Sequence, residues 1–296
     1  MFDTVTMAAP GSDEALRARL GGVTATEISA LLGENPWLTP LDVWLTKLGL
    51  APPVAVSEAM MIGNLLEPSV LALAERAHGK ILRPGLDFAS VAAWDQNPLV
   101  RASLDGLDLS GHPVEAKVTS RYWAVPPIHY LDQVRWQCGV VGADFGTLAV
   151  LRGTDYAEHH IRADPEWFDM AVSVAISFFE RHVVAGERPP AGPGDNLANT
   201  WEPDVDSVCT VAEGDWAAYL GLRAAEAEAV AGRKAAELVL QEQVQSATEI
   251  LVGTSRVGSW RPTKPRRLVD RKALAAAGLD NQFTKLGEPG RSWRVK

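Results

Sequence analysis

The 296-residue chain has only two cysteines, Cys138 and Cys209, too few for a disulfide framework and without the CxxC spacing of a metal knuckle. No apolar run approaches the ~18 residues that a membrane-spanning helix needs. The first residues, Met1 to Met7, carry an acid and no basic stretch. They do not read as a signal peptide, and a cytoplasmic protein with no membrane partner is expected. Positive charge is scarce as well: 28 Lys and Arg against 37 Asp and Glu leave a formal charge of −9. That balance argues at first against a nucleic-acid partner. The deficit is uneven, however. Residues 251–296 hold 11 basic and 3 acidic side chains, about +8, and the first 250 residues hold 17 against 34, about −17. A basic tail on an acidic body can contact phosphates locally, or can be an ordinary solvated surface. An acidic body also suits a site for divalent cations, because the metal then brings the positive charge.

What is present is an ordinary globular composition, 47% hydrophobic and 22% charged, long enough for one large domain or one and a half. The stretch Arg188-Pro189-Pro190-Ala191-Gly192-Pro193-Gly194-Asp195 is punctuated by Pro and Gly. It places a linker at 188–205 between a body, 1–187, and an appendage, 206–296. In the body, Ala25 to Leu32 and Pro40 to Leu48 read as short helices, and Ser57 to Ala77 as a longer one that Pro68 should kink or restart. Strands are expected at Ala102 to Leu104 and Pro113 to Val118. Ile128 to Val141 reads as a helix with Leu131, Val134, Cys138 and Val141 on one face. A hairpin should follow, Thr147 to Leu151 and His159 to Ile161, turning near Gly153, with Trp167 to Val184 as a closing amphipathic helix. Helices flanking a small mixed sheet make the fold class α/β or α+β. The appendage reads as a long helix, Trp216 to Gln245, whose narrow apolar stripe suits a partner helix or another subunit. Strands are expected in Thr248 to Trp260 and at Arg267 to Val269, and then a basic end, Gln282 to Lys296.

The chemistry concentrates between Arg101 and Lys117. Ser103-Leu104-Asp105-Gly106 is followed, with nine residues between Asp105 and Glu115, by Glu115-Ala116-Lys117. On a strand Glu115 and Lys117 point to one face, and a hairpin can bring Asp105 beside Glu115. Two crowded carboxylates repel, and a hard divalent cation relieves them. Lysine adds a donor or base for an attacking water. Three solvated residues on a surface hairpin would give the same pattern. Glu67 puts a third acid on the predicted helix, with Gly63 one turn earlier leaving room for another backbone. Gln133 and Gln137 stand four apart on one helix face, where amides can bond phosphate or metal-held water, or simply face solvent.

In this order, Gly-x-x-x-Glu67, Ser-x-Asp105-Gly, Glu115-x-Lys117 and Gln133-x-x-x-Gln137 resemble the YqaJ/lambda-exonuclease family of phage recombination nucleases. Arg19-Leu20-Gly21-Gly22-Val23-Thr24-Ala25-Thr26-Glu27 is similar to that family's N-terminal signature. Leu31 to Trp44 is similar to its first helical segment. The resemblance runs from about Arg19 to Val184 and implies a restriction-endonuclease-like core of the PD-(D/E)xK kind, so the body would be a nuclease domain. It implies that Glu67, Asp105, Glu115 and the Ala116 carbonyl ligate one or two Mg²⁺, which Mn²⁺ can replace. Lys117 would orient or deprotonate the attacking water, and Gln133 would support the site. Arg19 with Thr24 or Thr26 would receive a terminal 5′-phosphate, and Ser120, Arg121 and Gln137 would touch DNA. The implied partners are double-stranded DNA ends, a single-strand annealing protein and further copies of the chain, in a ring trimer. The implied activity is 5′→3′ exonuclease action leaving a 3′ single strand. A structure-specific endonuclease or nickase, and an idle DNA-binding module, remain as alternatives. Related branches of the fold hold an iron–sulfur cluster on four cysteines, which two cysteines exclude.

His159 and His160 are adjacent, so they face opposite sides of a strand and read as structural. His112 reads as a surface-loop residue, Cys138 as a buried thiol. Trp37 and Trp44 read as core, and Trp123, just past Ser120 and Arg121, has the better claim to DNA. Arg19, two glycines, two hydroxyls and a helix beginning near Ala25 together describe a phosphate pocket.

Overall fold

The computed structural model of the protein describes residues 2–51, 56–192, 194–195, 197, 208–262 and 275–278. The chain divides into two compact units, residues 1–196 and 197–296.

The first unit has two sheets. One is antiparallel, in the order β1 (Phe2–Thr6), β2 (Val91–Trp94), β3 (Asn97–Ala102). The other is mixed and runs β4 (Gly106–Leu107), β5 (Pro113–Thr119), β6 (Phe145–Arg152), β7 (Asp155–Arg162). β5 and β6 pair in parallel, Glu115 opposite Leu148 and Lys117 opposite Val150. Parallel neighbours need a crossover, and α5 (Ile128–Val141) supplies it. The β6–β7 hairpin turns at Gly153, as expected.

α5 carries two apolar faces. Trp136 and Val140 join a core with α2 (Ala25–Leu31), α6 (Pro165–Phe178) and the first sheet. Val134 and Cys138 pack instead with Leu148, Val150 and Ile161 of the mixed sheet. Trp136 is fully buried, and its indole N–H donates to the Arg101 carbonyl at 2.8 Å. Truncating so large a buried ring typically costs 3–5 kcal/mol. α6 crosses closely at Gly139, where a Cβ would stand 2.2 Å from the Phe168 ring. Beyond α6 the helix continues as one π-helical stretch, Phe179–Val184.

α1 (Asp13–Leu20), α3 (Pro40–Lys47) and α4 (Glu58–His78) complete the unit. α3 starts on a capping box, Thr39 with Asp42. α4 runs unbroken through Pro68, so the expected restart does not occur. Its Val70, Leu71 and Ala74 pack on Val114 and Ala116, which fixes α4 against one face of β5. Among the described residues no backbone approaches Gly63, contrary to the sequence expectation. The strand expected at Ala102 to Leu104 is displaced: β3 ends at Ala102, and Asp105 precedes β4 on an irregular bend.

The second unit holds α7 (Glu213–Val244), none of whose residues is buried, and a hairpin, β8 (Glu249–Val252) with β9 (Ser255–Ser259). The strand expected at Arg267 to Val269 and the basic end, Gln282 to Lys296, lie outside the described residues, as does most of the 188–205 segment. Among the described residues no helix is long and apolar enough to cross a membrane.

Candidate active site

Strand alternation does the sorting on β5. Val114, Ala116 and Val118 face α4, which leaves Glu115 and Lys117 on the other face, toward α5. Glu115 is 1% exposed, and its carboxylate is the hub of the site. Its Oε1 accepts from Gln133 Nε2 at 2.5 Å and from Lys117 Nζ, and its Oε2 accepts from Gln137 Nε2 at 2.6 Å. Gln137 also reaches the Ser103 carbonyl at 3.3 Å, tying α5 to the segment before Asp105. The two amides, one helical turn apart, hold a buried carboxylate that would otherwise cost several kcal/mol to desolvate. Asp105 Oδ2 accepts the main-chain N–H of Ala116 at 2.9 Å, so the bend before β4 is pinned to β5.

The electrostatics show a surplus of negative charge. Burial and then the neighbouring Glu115 charge push the Asp105 carboxyl well above its ordinary range, with Glu67 adding to the shift. Burial and Glu115 likewise raise Glu67. Burial alone would lower Lys117, but Glu115 and Asp105 outweigh it and the ammonium is held above its ordinary value. An ammonium held this way can donate a hydrogen bond and offset negative charge beside it. Its Nζ also lies 5.4 Å from the Tyr130 ring centroid.

The structure thus brings Glu67, Asp105, Glu115, Ala116, Lys117, Gln133 and Gln137 into one electrostatic neighbourhood. Among the described residues no three His, Cys, Asp or Glu side chains already close around a cation position. The donor set nonetheless suits a hard cation: carboxylates from α4, β5 and the bend before β4, short of positive charge. The thiol of Cys138 is no competitor, being fully buried and pushed up to about 12 by burial.

The remaining expected residues lie in two other places. Ser120 and Arg121 are exposed just after β5, and Arg121 lines a cavity of about 190 Å³ with Tyr122, Trp123, Arg152 and His159. Arg19 lines a cavity of about 430 Å³ with Arg17, Glu27 and Thr46. The phosphate pocket read from the sequence differs in its construction. Gly21 and Gly22 make room for protein, since a Cβ on them would strike the Arg101 guanidinium at 2.8 Å and the Leu99 carbonyl at 2.4 Å. Thr24 is buried, Thr26 is exposed, and the start of α2 holds Glu27, whose Oε2 takes the Thr24 N–H at 2.8 Å. A carboxylate of the protein occupies the end where an anion was expected.

His159 and His160 do face opposite sides, toward different cavities. His112 is held by Asp108 and Asp144, at 2.9 and 3.1 Å, and stacks on Phe145. Trp44 is packed, with its indole N–H on the His182 carbonyl at 2.8 Å. Trp37 is not core but 70% exposed, resting on His129. Sequence reasoning passed over His129 and Tyr130 altogether. Their place at the start of α5, one turn ahead of Gln133, was the available signal.

A mixed sheet with helices on both sides, presenting an acid–x–lysine strand to a crossover helix, defines a restriction-endonuclease-like core. The alkaline exonuclease LHK-Exo from Laribacter hongkongensis has this fold: its structure superposes with a TM-score of 0.50 at 18% identity, over 59% of this chain and 94% of that one. The complex of LHK-Exo with dAMP matches to the same extent. Residues 14–144 match the YqaJ-like viral recombinase domain, so the resemblance read from the sequence is borne out over that stretch. The uncharacterized protein YqaJ of Bacillus subtilis (strain 168) is 31% identical over 188 residues, 60% of this chain. The match spans 58% of that relative's length.

Proposed function

We propose that the chain is a metal-dependent deoxyribonuclease that degrades duplex DNA from its ends, 5′→3′. The observation that carries this reading is Glu115. A buried carboxylate, gripped by two amides and a lysine beside two further acids, is an expensive arrangement with no packing purpose. Mg²⁺ or Mn²⁺, held by Glu67, Asp105, Glu115 and the Ala116 carbonyl, would supply Lewis-acid charge at the scissile phosphate. The chain's own residues do the rest. Gln133 and Gln137 fix the plane of the Glu115 carboxylate. The Ala116 N–H fixes Asp105. Lys117, kept as an ammonium, donates to the attacking water and offsets charge gathering on the phosphate. Ser120, Arg121 and the Trp123 side of the groove lie where β5 ends and would receive the backbone of the strand. Arg19 and Arg17 would hold a 5′-phosphate, a role that Arg suits through its fork. Degrading one strand leaves a 3′ single strand for an annealing protein, and a ring of three copies would keep the duplex enclosed. The dAMP complex of LHK-Exo, which shares the fold, is consistent with a nucleotide substrate.

The test is digestion of end-labelled linear duplex with Mg²⁺, with 5′-phosphate or 5′-hydroxyl ends, beside closed circular DNA. Loss of the 5′ label first, with no activity in chelator, supports the reading. Cutting of closed circles would make the chain an endonuclease or nickase, and full activity in chelator would remove the mechanism.

A further inference from the structure

Trp37 presents 70% of its surface to solvent from a backbone that is firmly held. Asn35 Oδ1 accepts the main-chain N–H groups of Trp37 and Leu38, at 2.9 and 3.0 Å, and Asn35 Nδ2 bonds Ser29 Oγ at 3.1 Å. Ser29 O in turn accepts from the N–H groups of Glu34 and Asn35, at 2.8 and 3.1 Å. A large, flat aromatic ring displayed by a fixed loop is a ready surface for stacking. The indole meets the His129 ring edge-on, with centroids 4.9 Å apart. His129 is 8% exposed, and its Nε2 is sealed from solvent with no hydrogen-bond partner. Such an orphaned atom is unusual and calls for a ligand. The rings continue to Tyr130, 4.1 Å from His129, and so to Lys117 Nζ above Tyr130. Burial and then the Lys117 charge lower the imidazole's pKa, so the support under Trp37 is a neutral ring.

We propose that Trp37, propped on His129, is a stacking platform for an unpaired nucleobase of a DNA strand held at the Glu115–Lys117 site. This rests on the nuclease reading and extends it, because an enzyme that separates strands at an end must place the freed bases somewhere. An indole face accepts any base, and a platform fixed in advance loses little entropy on binding. Steps of 4.9, 4.1 and 5.4 Å from Trp37 to Lys117 Nζ put the platform within a few bases of the cleavage position, given a rise of about 3.4 Å per stacked base.

The experiment measures binding of a fluorescent oligothymidylate decamer, and of the same decamer with abasic sites, to the full chain in chelator. Trp37→Ala should weaken the base-bearing decamer roughly 5- to 150-fold, the worth of one stacked base. Trp37→Phe should recover most of that loss, and the abasic decamer should bind wild type and Trp37→Ala alike. Unchanged binding of the base-bearing decamer overturns the platform, as does an equal loss on both oligomers. A Trp37→Ala chain that sediments as a smaller assembly also overturns it, by making Trp37 a contact between copies. Thermal melting confirms that the variants are folded, as the exposure of Trp37 leads one to expect. The two readings fail separately. Trp37-dependent base binding without digestion of duplex sinks the nuclease and keeps the platform; digestion with Trp37-independent binding does the reverse.

Discussion

The first unit buries two glutamate–lysine pairs, and they are built for different ends. In one, Lys47 Nζ bonds Glu27 Oε1 at 2.8 Å, with the lysine side chain 0% exposed. The same ammonium caps the Arg19 carbonyl at 2.8 Å, and the other Glu27 oxygen caps Thr24 N–H. The charges nearest this pair are positive, Arg19 and Arg101, and burial lowers the Lys47 pKa even though Glu27 opposes it. In the other pair, Lys117 and Glu115, the nearest charges are the acids Asp105 and Glu67, and the lysine is raised. One pair is a closed circuit that joins α3 to α2. The other carries a negative surplus that Lys117 and, at Glu67, Arg83 only partly offset. What distinguishes a site from a strut is therefore the sign of the surrounding charge, not burial or the ion pair itself.

The sharpest way to separate the two is through activity. Asp105→Asn and Glu115→Gln should each lower DNA digestion by at least about 10³-fold, the several kcal/mol that charge stabilisation supplies. Both variants should melt in chelator no lower than wild type, because one repelling charge is gone. A melting point that collapses along with activity would make Glu115 a strut like Glu27. Lys117→Ala should bind DNA yet cleave poorly, measured by gel shift beside digestion.

The strut should give the opposite pattern. Glu27→Gln leaves the Lys47 ammonium buried without its counter-charge, and about 3–5 kcal/mol of stability should go with it. Digestion of 5′-hydroxyl ends, per folded molecule, should stay near wild type. The double variant Glu27→Leu with Lys47→Met should recover most of the stability, read by denaturant unfolding. Failure to recover would show that the pair does more than close a circuit.

Arg19 tests whether the strut region has a second task. Arg19→Ala should slow digestion of 5′-phosphorylated ends about 10- to 150-fold, for the roughly 1.5–3 kcal/mol of a charged hydrogen bond. It should leave 5′-hydroxyl ends unchanged. Equal losses on both ends would place Arg19 outside end recognition.

The smallest effect concerns a third buried acid, Asp132, whose pairing with Arg135 at 3.2 Å does not outweigh its burial. Burial, with the Glu34 carboxyl beside it, raises Asp132 from 3.8 to about 7. Because the folded pKa is the higher one, the stability tied to this group is full below pH about 4 and is lost as pH rises through about 7. Asp132→Asn should flatten that part of the melting curve against pH, and an unchanged slope would assign it elsewhere.

The sequence made the second sheet and its crossover legible because their signals are local. Alternation marks β5, the 3.6 period marks α5, and a glycine marks the β6–β7 turn. Asp105, Glu115 and Lys117 were readable for the same reason, as neighbours across one short hairpin. The first sheet was not, since β1 pairs with a strand some ninety residues away and its Phe2–Thr6 segment carries little alternation. Lys47 was invisible, because a lysine reads as solvated until its partner from another helix is known. Trp37 was misread on composition: aromatic rings are usually core, and only the Asn35 hydrogen bonds hold this one outside.

The parallel pairing of β5 with β6 also fixes when the cluster around Glu115 can form. During synthesis Glu115 and Lys117 leave the ribosome well before Phe145–Arg152, the strand that flanks them, and until α5 has crossed over they are two charges on a loose ribbon. A parallel pair cannot close on a short turn, so ordering waits for the whole crossover. The acid–amide–lysine hub closes only once α5 has brought Gln133 and Gln137 over β5.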